Sequence, residues 1–418
     1  MHDFNFKANE LYCEGVKVST VAKSVGTPFY LYSHKTLVDH FRKVQKAFEA
    51  VNPIVCFAVK ANGNLAVLKT LADEGAGFDV VSGGELKKVL KVYADPKKIA
   101  YASVGKTDEE IVLALKAGIL FFNVESLPEL ERINLIAKKL SKKAPVALRI
   151  NPDVEAPTHK AITTGTLKNK FGIDLKTARA ILTSQKKYPS VNFKGIHIHI
   201  GSQIIKVQPF VDAIKKMIVF LKDLETRGVR LEYFDIGGGM GIMYYQMQTP
   251  TAEEFAQEMV PLLKQTGMKI VLEPGRFICG NAGILVAKTL YLKDNGAKKF
   301  LIVDAGMNDL IRPSLYNAYH NIVPVKKTKV KESVMDIVGP ICESGDFFAK
   351  DRPFPELKSG ELVAVMSAGA YGYAMSSNYN IRPRVAEVMV KGATWEIIKQ
   401  RETFSDLVRG ETIPKFLK

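Results

Sequence analysis

Between residues 54 and 274 the chain repeats one rhythm: a short run of β-branched or aromatic residues, then a stretch with apolar positions three and four apart. The runs are IVCFAVK (54–60), FDVVS (78–82), IAYAS (99–103), ILFFNV (119–124), VALRIN (146–151), GIHIHI (195–200), YFDIG (233–237) and KIVLEP (269–274). Apolar runs this short, bounded by turn residues, predict strands buried on both faces. LAVLKTLADEG (65–75), TDEEIVLALKAG (107–118) and SLPELERINLIAKKL (126–140) predict helices between them, the first two closing on Gly75 and Gly118. Eight β-then-α units over roughly 220 residues fit a (β/α)8 TIM-type barrel better than a doubly wound sheet. No G-x-G-x-x-G fingerprint opens the first unit, which also argues against a dinucleotide-binding fold.

After Gly275 the pattern changes to alternating, strand-like segments such as ILVAKTLYLKD, KFLIVDAG and RVAEVMVKGATWEII, with few long helical patterns. LYCEGVKV and TPFYLYS near the start also read as strands. The expected organisation is α/β plus β: N-terminal strands (1–33) joining the β domain, a barrel (34–275), and a mostly-β C-terminal sandwich or barrel (276–418).

With 418 residues and 47% apolar positions the chain can bury a large core. No stretch approaches the roughly 18 uncharged apolar residues of a membrane span, and the first twenty positions lack a basic-then-apolar leader pattern, so a soluble cytoplasmic protein is expected. Cys13, Cys56, Cys279 and Cys342 have no C-x-x-C spacing, which points to neither a disulfide framework nor a metal site; a cysteine that matters would matter as a thiol. The net charge of +16 is spread in short lysine clusters without a basic helix or interleaved aromatics, which argues against nucleic-acid binding.

In such barrels chemistry sits at the C-terminal mouths of the strands. The first run ends in Lys60, which admits two readings: a side chain reaching to solvent, or an amine held for chemistry. The second ends in FDVVSGGE with Asp79; the sixth in HIHIGSQ, with His197 and His199 on one face; the seventh in DIGGGMG; the eighth in EPGR, with Glu273. Gly237, Gly238 and Gly239 are either a flexible turn or a cradle of bare N–H groups for a phosphate. His199 is either a satisfied core residue or a flat ring for stacking. Glu273 would be expensive in the mouth unless a cation or a protonated ring nitrogen met it. Lysine, phosphate cradle, stacking ring and carboxylate are together the parts that hold pyridoxal 5′-phosphate as a Schiff base.

The set AVKAN, HIHIGSQ, IGGGMG and EPGR resembles the alanine-racemase-type barrel of the group IV amino-acid decarboxylases, which are pyridoxal-phosphate enzymes of fold type III. Within that group DAGMNDLIRPSLYNAYH (304–320), GPICESGD (339–346), AGAYGYAMSSNYN (368–380) and TTGTLKNKFGI (163–173) resemble the diaminopimelate decarboxylase family, across nearly the whole chain. The resemblance implies that Lys60 carries the cofactor covalently, that His199 stacks on its ring with Asp79 in support, and that Glu273 pairs with the pyridine nitrogen. It implies phosphate contacts from Ser202, Gly238, Gly239, the turn at Gly275 and Arg276, and Tyr371. Cys342 would be the proton donor to the substrate carbon, reaching with Glu343 into the site of the neighbouring subunit of a homodimer.

Meso-diaminopimelate, the substrate so implied, has a second amino-acid group that does not react. Its carboxylate calls for guanidinium forks, and Arg276 and Arg312 resemble the family's pair; its ammonium calls for Glu343 and the hydroxyls of Tyr316 and Tyr371. A decarboxylase of ornithine, arginine or carboxynorspermidine is the nearest rival, and ornithine would need no distal arginine pair. A non-catalytic regulatory protein on the same barrel could dispense with Lys60 or Cys342, and a simple racemase would lack the CESGD segment.

Overall fold

The structure, a computed structural model, describes residues 2–154, 170–245 and 248–417. Of TTGTLKNKFGI, residues 163–169 therefore lie outside the described residues. The chain divides into two compact units, Leu37–Cys279 and Met1–Thr36 with Gly280–Lys418.

In the first unit, eight parallel strands close into a barrel: Ile54–Ala58, Gly77–Val80, Ile99–Tyr101, Phe121–Val124, Ala144–Arg149, Val191–His197, Tyr233–Asp235 and Lys269–Leu272. Closure is made where Val271 and Leu272 pair with Ile54 and Val55. Most strands stop short of the apolar runs that mark them, because the ends of those runs turn outward to form the mouths. Lys60 accordingly lies in a 3₁₀ turn, Val59–Ala61, just past the first strand. The sixth strand begins earlier than its run, at Val191.

Local signals set the helices. Thr107 and Glu110 make a reciprocal capping box at the start of Asp108–Ala117, and Gly118 ends that helix in the left-handed region at φ 71°. The long helix Gln208–Thr226 buries Phe210, Ile214, Met217, Phe220 and Leu224, three or four residues apart, on one stripe.

Inside the barrel the side chains form two kinds of layer. Cys56, Ala100, Phe121, Ala147 and Val271 pack in one apolar cluster. At the C-terminal ends of the strands stand Asp79, Asn123, Arg149, His197 and Asp235, all buried. Desolvating so many polar groups opposes folding, and such sets persist where function needs them.

In the second unit Phe29–Ser33 is an interior strand of a nine-stranded sheet, antiparallel to Gly283–Asp294 and parallel to Ala386–Lys391. Alternation explains its burial: Phe29 and Leu31 join one apolar cluster with Ile284 and Val286, while Tyr30 and Tyr32 join the other with Leu285 and Ala287. Residues 4–17 make a three-stranded sheet of their own, and its Phe4, Leu11, Cys13 and Val16 cover the first of those clusters. Each large apolar side chain so buried contributes roughly 1.5–3 kcal/mol relative to an exposed one. Among the described residues no helix is long and apolar enough to cross a membrane.

Candidate active site

Lys60 and Asp79 come from neighbouring strand ends, and Lys60 Nζ donates to Asp79 Oδ2 at 2.7 Å. Asp79 is fully buried, and its other oxygen, Oδ1, has no hydrogen-bond partner. Burial, and then the charge of Glu273, push its carboxyl up to about 6 against the pull of Lys60.

Glu273 follows the last barrel strand. Its Oε1 accepts from Asn123 Nδ2 at 3.1 Å, and its Oε2 lies 3.2 Å from His197 Nε2, close enough for charge pairing but not aligned as a hydrogen bond. Burial works against its charge, yet His197 and Lys60 outweigh burial and hold the carboxyl below the ordinary range. Asp235 moves the other way: burial and the Glu273 charge push it well up. Of two adjacent buried acids, one is thus shifted toward its ionised form and the other toward its protonated form.

The seventh mouth is close-packed glycine. A Cβ on Gly238 would lie 2.1 Å from Glu273 O, and one on Gly239 would lie 2.3 Å from Gly201 O, at φ +105°. Only bare backbone fits there. Gly238 N–H donates to His199 Nδ1 at 3.2 Å, orienting a half-buried imidazole. Removal from water, with the cations Arg149 and Lys60 nearby, holds His199 well below its usual pKa, so the ring is neutral. At the eighth mouth Gly275 packs on Ala58 and Ala61, a Cβ there meeting both at 3.0 Å. Arg276, also buried, donates from Nη2 to Ser202 Oγ at 3.1 Å and from Nη1 to Tyr244 Oη at 2.6 Å.

The barrel thus brings together Lys60, Asp79, His199, Ser202, Gly238, Gly239, Glu273, Gly275 and Arg276. Arg312, Tyr316, Cys342, Glu343 and Tyr371 belong to the second unit. There three motifs interlock: Asp346 accepts from Met307 N–H and Ile341 N–H, both at 2.6 Å; Ser377 N–H donates to Asn308 O at 2.9 Å; and Cys342 N–H donates to Asn380 Oδ1 at 2.9 Å. Cys342 is exposed on that framework, and Glu343 beside it accepts from Tyr379 Oη at 3.4 Å. Tyr371, half-buried, has a left-handed backbone at φ 56°.

The sequence reading gave no role to Asn123, Arg149, Asp235 or Tyr244. Arg149 Nη1 donates to Glu125 Oε1 at 3.0 Å, and its guanidinium lies over the Phe171 ring at 4.7 Å. Three of the four carried a signal: a charged or amide side chain interrupting the apolar runs ILFFNV, VALRIN and YFDIG. Tyr244 carried none.

Residues 34–280 match the pyridoxal binding domain of the pyridoxal-dependent decarboxylases. A diaminopimelate decarboxylase from Aquifex aeolicus is 48% identical over 404 residues, 96% of each chain. The chain belongs to the diaminopimelate decarboxylase family. Two solved members share its fold: the M. jannaschii diaminopimelate decarboxylase in complex with L-lysine, at TM-score 0.96 and 36% identity over the whole of both chains, and the Helicobacter pylori enzyme complexed with L-lysine, at TM-score 0.90 and 40% identity over 94% of this chain and 98% of that one. Membership carries pyridoxal phosphate as cofactor, and the residues fit it. The mouth offers an amine at Lys60, an unpartnered oxygen on buried Asp79, an anion at Glu273, and a glycine cradle beside the Ser202 hydroxyl.

Proposed function

We propose that this family member decarboxylates meso-2,6-diaminopimelate to L-lysine and CO2, with pyridoxal phosphate attached at Lys60. The observation that carries the reading is the geometry of the barrel mouth: Lys60 Nζ donates to buried Asp79, and Glu273 stands against His197 and Asn123 with its carboxyl held below the ordinary range.

Bound pyridoxal phosphate supplies an electron sink for the pair left when the carbon–carboxylate bond breaks. Glu273 holds a proton at the pyridine nitrogen, which keeps that sink open. His199, neutral and half-buried, offers the flat face of its ring, and Asp79 supports that region while anchoring the Lys60 amine. Ser202, Gly238, Gly239, Gly275 and Tyr371 bind the phosphate. Arg276, which already donates to the Ser202 hydroxyl, keeps that hydroxyl oriented while serving the substrate carboxylate.

Cys342 delivers a proton from Sγ to the substrate carbon after CO2 leaves. Arg312 and Arg276 take the distal carboxylate as guanidinium forks; Glu343, Tyr316 and Tyr371 take the distal ammonium. In the homodimer we propose, Cys342 and Glu343 are presented to the site of the neighbouring subunit, and the exposure of both side chains supports this.

CO2 release from meso-diaminopimelate, ornithine, arginine and carboxynorspermidine, with and without added pyridoxal phosphate, tests the reading. Cofactor-dependent release from meso-diaminopimelate alone is expected. Equal turnover of ornithine, or a rate indifferent to the cofactor, would overturn it.

A further inference from the structure

We propose that His320 is a positioning residue for Arg312: it sets the plane of the guanidinium and thereby contributes to recognition of the substrate's non-reacting carboxylate. The proposal rests on the role given to Arg312 above.

Arg312 opens the short helix Arg312–Tyr316, which stops at Asn317 in the left-handed region at φ 50°. The chain doubles back there, so His320, wholly excluded from water, meets the guanidinium that precedes it by eight positions: Arg312 Nη1 lies 2.9 Å from His320 Nε2. On the other side of the ring, His320 Nδ1 lies 2.8 Å from Met366 O. A carbonyl oxygen only accepts, so Nδ1 carries the ring proton; a guanidinium only donates, so Nε2 presents its lone pair. Both contacts are satisfied by one species, the neutral imidazole protonated at Nδ1.

The ring is itself tied to a rigid sheet. Met366 N–H donates to Asn321 O at 2.8 Å, next to the antiparallel pairing of Ile322–Pro324 with Val363–Val365. The His320 carbonyl accepts from Arg352 Nη1 at 3.2 Å. One of the five guanidinium N–H groups is thus committed to a fixed acceptor, which removes the freedom of the plane to rotate. Recognition of a carboxylate by a planar fork depends on that plane. A ring whose only task were to fill the core would need no acceptor aimed at a guanidinium.

The test uses the cofactor-loaded enzyme and measures kcat and KM for meso-diaminopimelate, cofactor absorbance and melting temperature for the parent, His320→Asn, His320→Gln and Arg312→Ala. The asparagine side chain is too short to reach both Met366 O and Arg312, whereas glutamine can extend its amide oxygen to accept from the guanidinium. Loss of one hydrogen bond to a charged group predicts that His320→Asn raises KM about tenfold with kcat within about threefold, and that His320→Gln restores KM to within about threefold of the parent. An Arg312→Ala variant with raised KM beside a His320→Asn variant with parental KM would overturn the role of His320 alone. An Arg312→Ala variant with parental KM would overturn the reading of Arg312 and this proposal with it. A His320→Asn enzyme whose KM rises, with glutamine giving no recovery, would also overturn it, and the comparison of Gln with the parent stands even if the asparagine variant does not fold.

Discussion

His197 Nε2 stands 3.2 Å from Glu273 Oε2 in the barrel interior, with both side chains almost wholly removed from water. Asn123 reaches the other Glu273 oxygen, and Asp235, next along the wall, is driven in the opposite direction by burial and then by the Glu273 charge. The two acids are therefore not interchangeable. Glu273→Gln removes the carboxylate and is expected to lower kcat on the order of 10²-fold, whereas Asp235→Asn alters a group whose surroundings favour its neutral form and should cost less than about tenfold. Steady-state rates at saturating substrate, with cofactor loading read by absorbance, check both.

The close approach of Gly238 to Glu273 O makes a second expectation. A Cβ at 2.1 Å from a backbone oxygen forces the two mouths apart and displaces the N–H that orients His199. Gly238→Ala should destabilise the fold by roughly 1–3 kcal/mol and weaken pyridoxal phosphate binding at least about tenfold. Gly105, where an added Cβ would meet nothing within 4 Å, is the control: Gly105→Ala should stay within about 0.5 kcal/mol of the parent. Denaturant melts and cofactor titrations read these effects.

Asp79 titrates in an accessible window. Its folded-state pKa, about 6, lies above that of the unfolded chain, so the native state binds the proton more tightly. The stability from this group is complete below the usual carboxylate range and is lost as pH rises through about 6. Asp79→Asn does not titrate, so in the cofactor-free protein the stability of the variant relative to the parent should rise between pH 4 and pH 7, on the order of 2 kcal/mol. Denaturant unfolding at several pH values gives the sign; a flat difference would mean that Asp79 is already ionised at pH 4.

Cys342 is exposed while its backbone is fixed to Asn380, an arrangement suited to presenting a thiol rather than filling a core. A missing proton donor slows the step it serves by about 10²–10⁴. Cys342→Ala should therefore lose at least about 10² in kcat with cofactor binding intact, and rates measured beside cofactor absorbance distinguish this from a folding defect.

The barrel was legible because strands covered on both faces read as apolar runs such as IVCFA and VAL, and a helix between each pair leaves few other closures. The strand ends were less legible: IVCFAVK continues in its apolar pattern through Val59, yet the backbone has already turned into the 3₁₀ segment that carries Lys60. Polar residues at the last inward positions, Asn123 and Arg149, stood out from their runs, but what they touch depends on strands far apart in sequence. His197 and His199 look equivalent in HIHIG. In the structure one ends the sixth strand against Glu273, while the other lies beyond it on Gly238. The bond between Arg312 and His320 follows from a chain reversal at Asn317 that no periodicity marks.

The central claim is that Lys60 carries the cofactor, and borohydride fixation followed by peptide mass spectrometry tests it most directly. The parent should bear a single phosphopyridoxyl label on the peptide containing Lys60, and Lys60→Ala should bear none and lose at least about 10³ in turnover of meso-diaminopimelate. A label on another lysine, or unchanged turnover in Lys60→Ala, would contradict it.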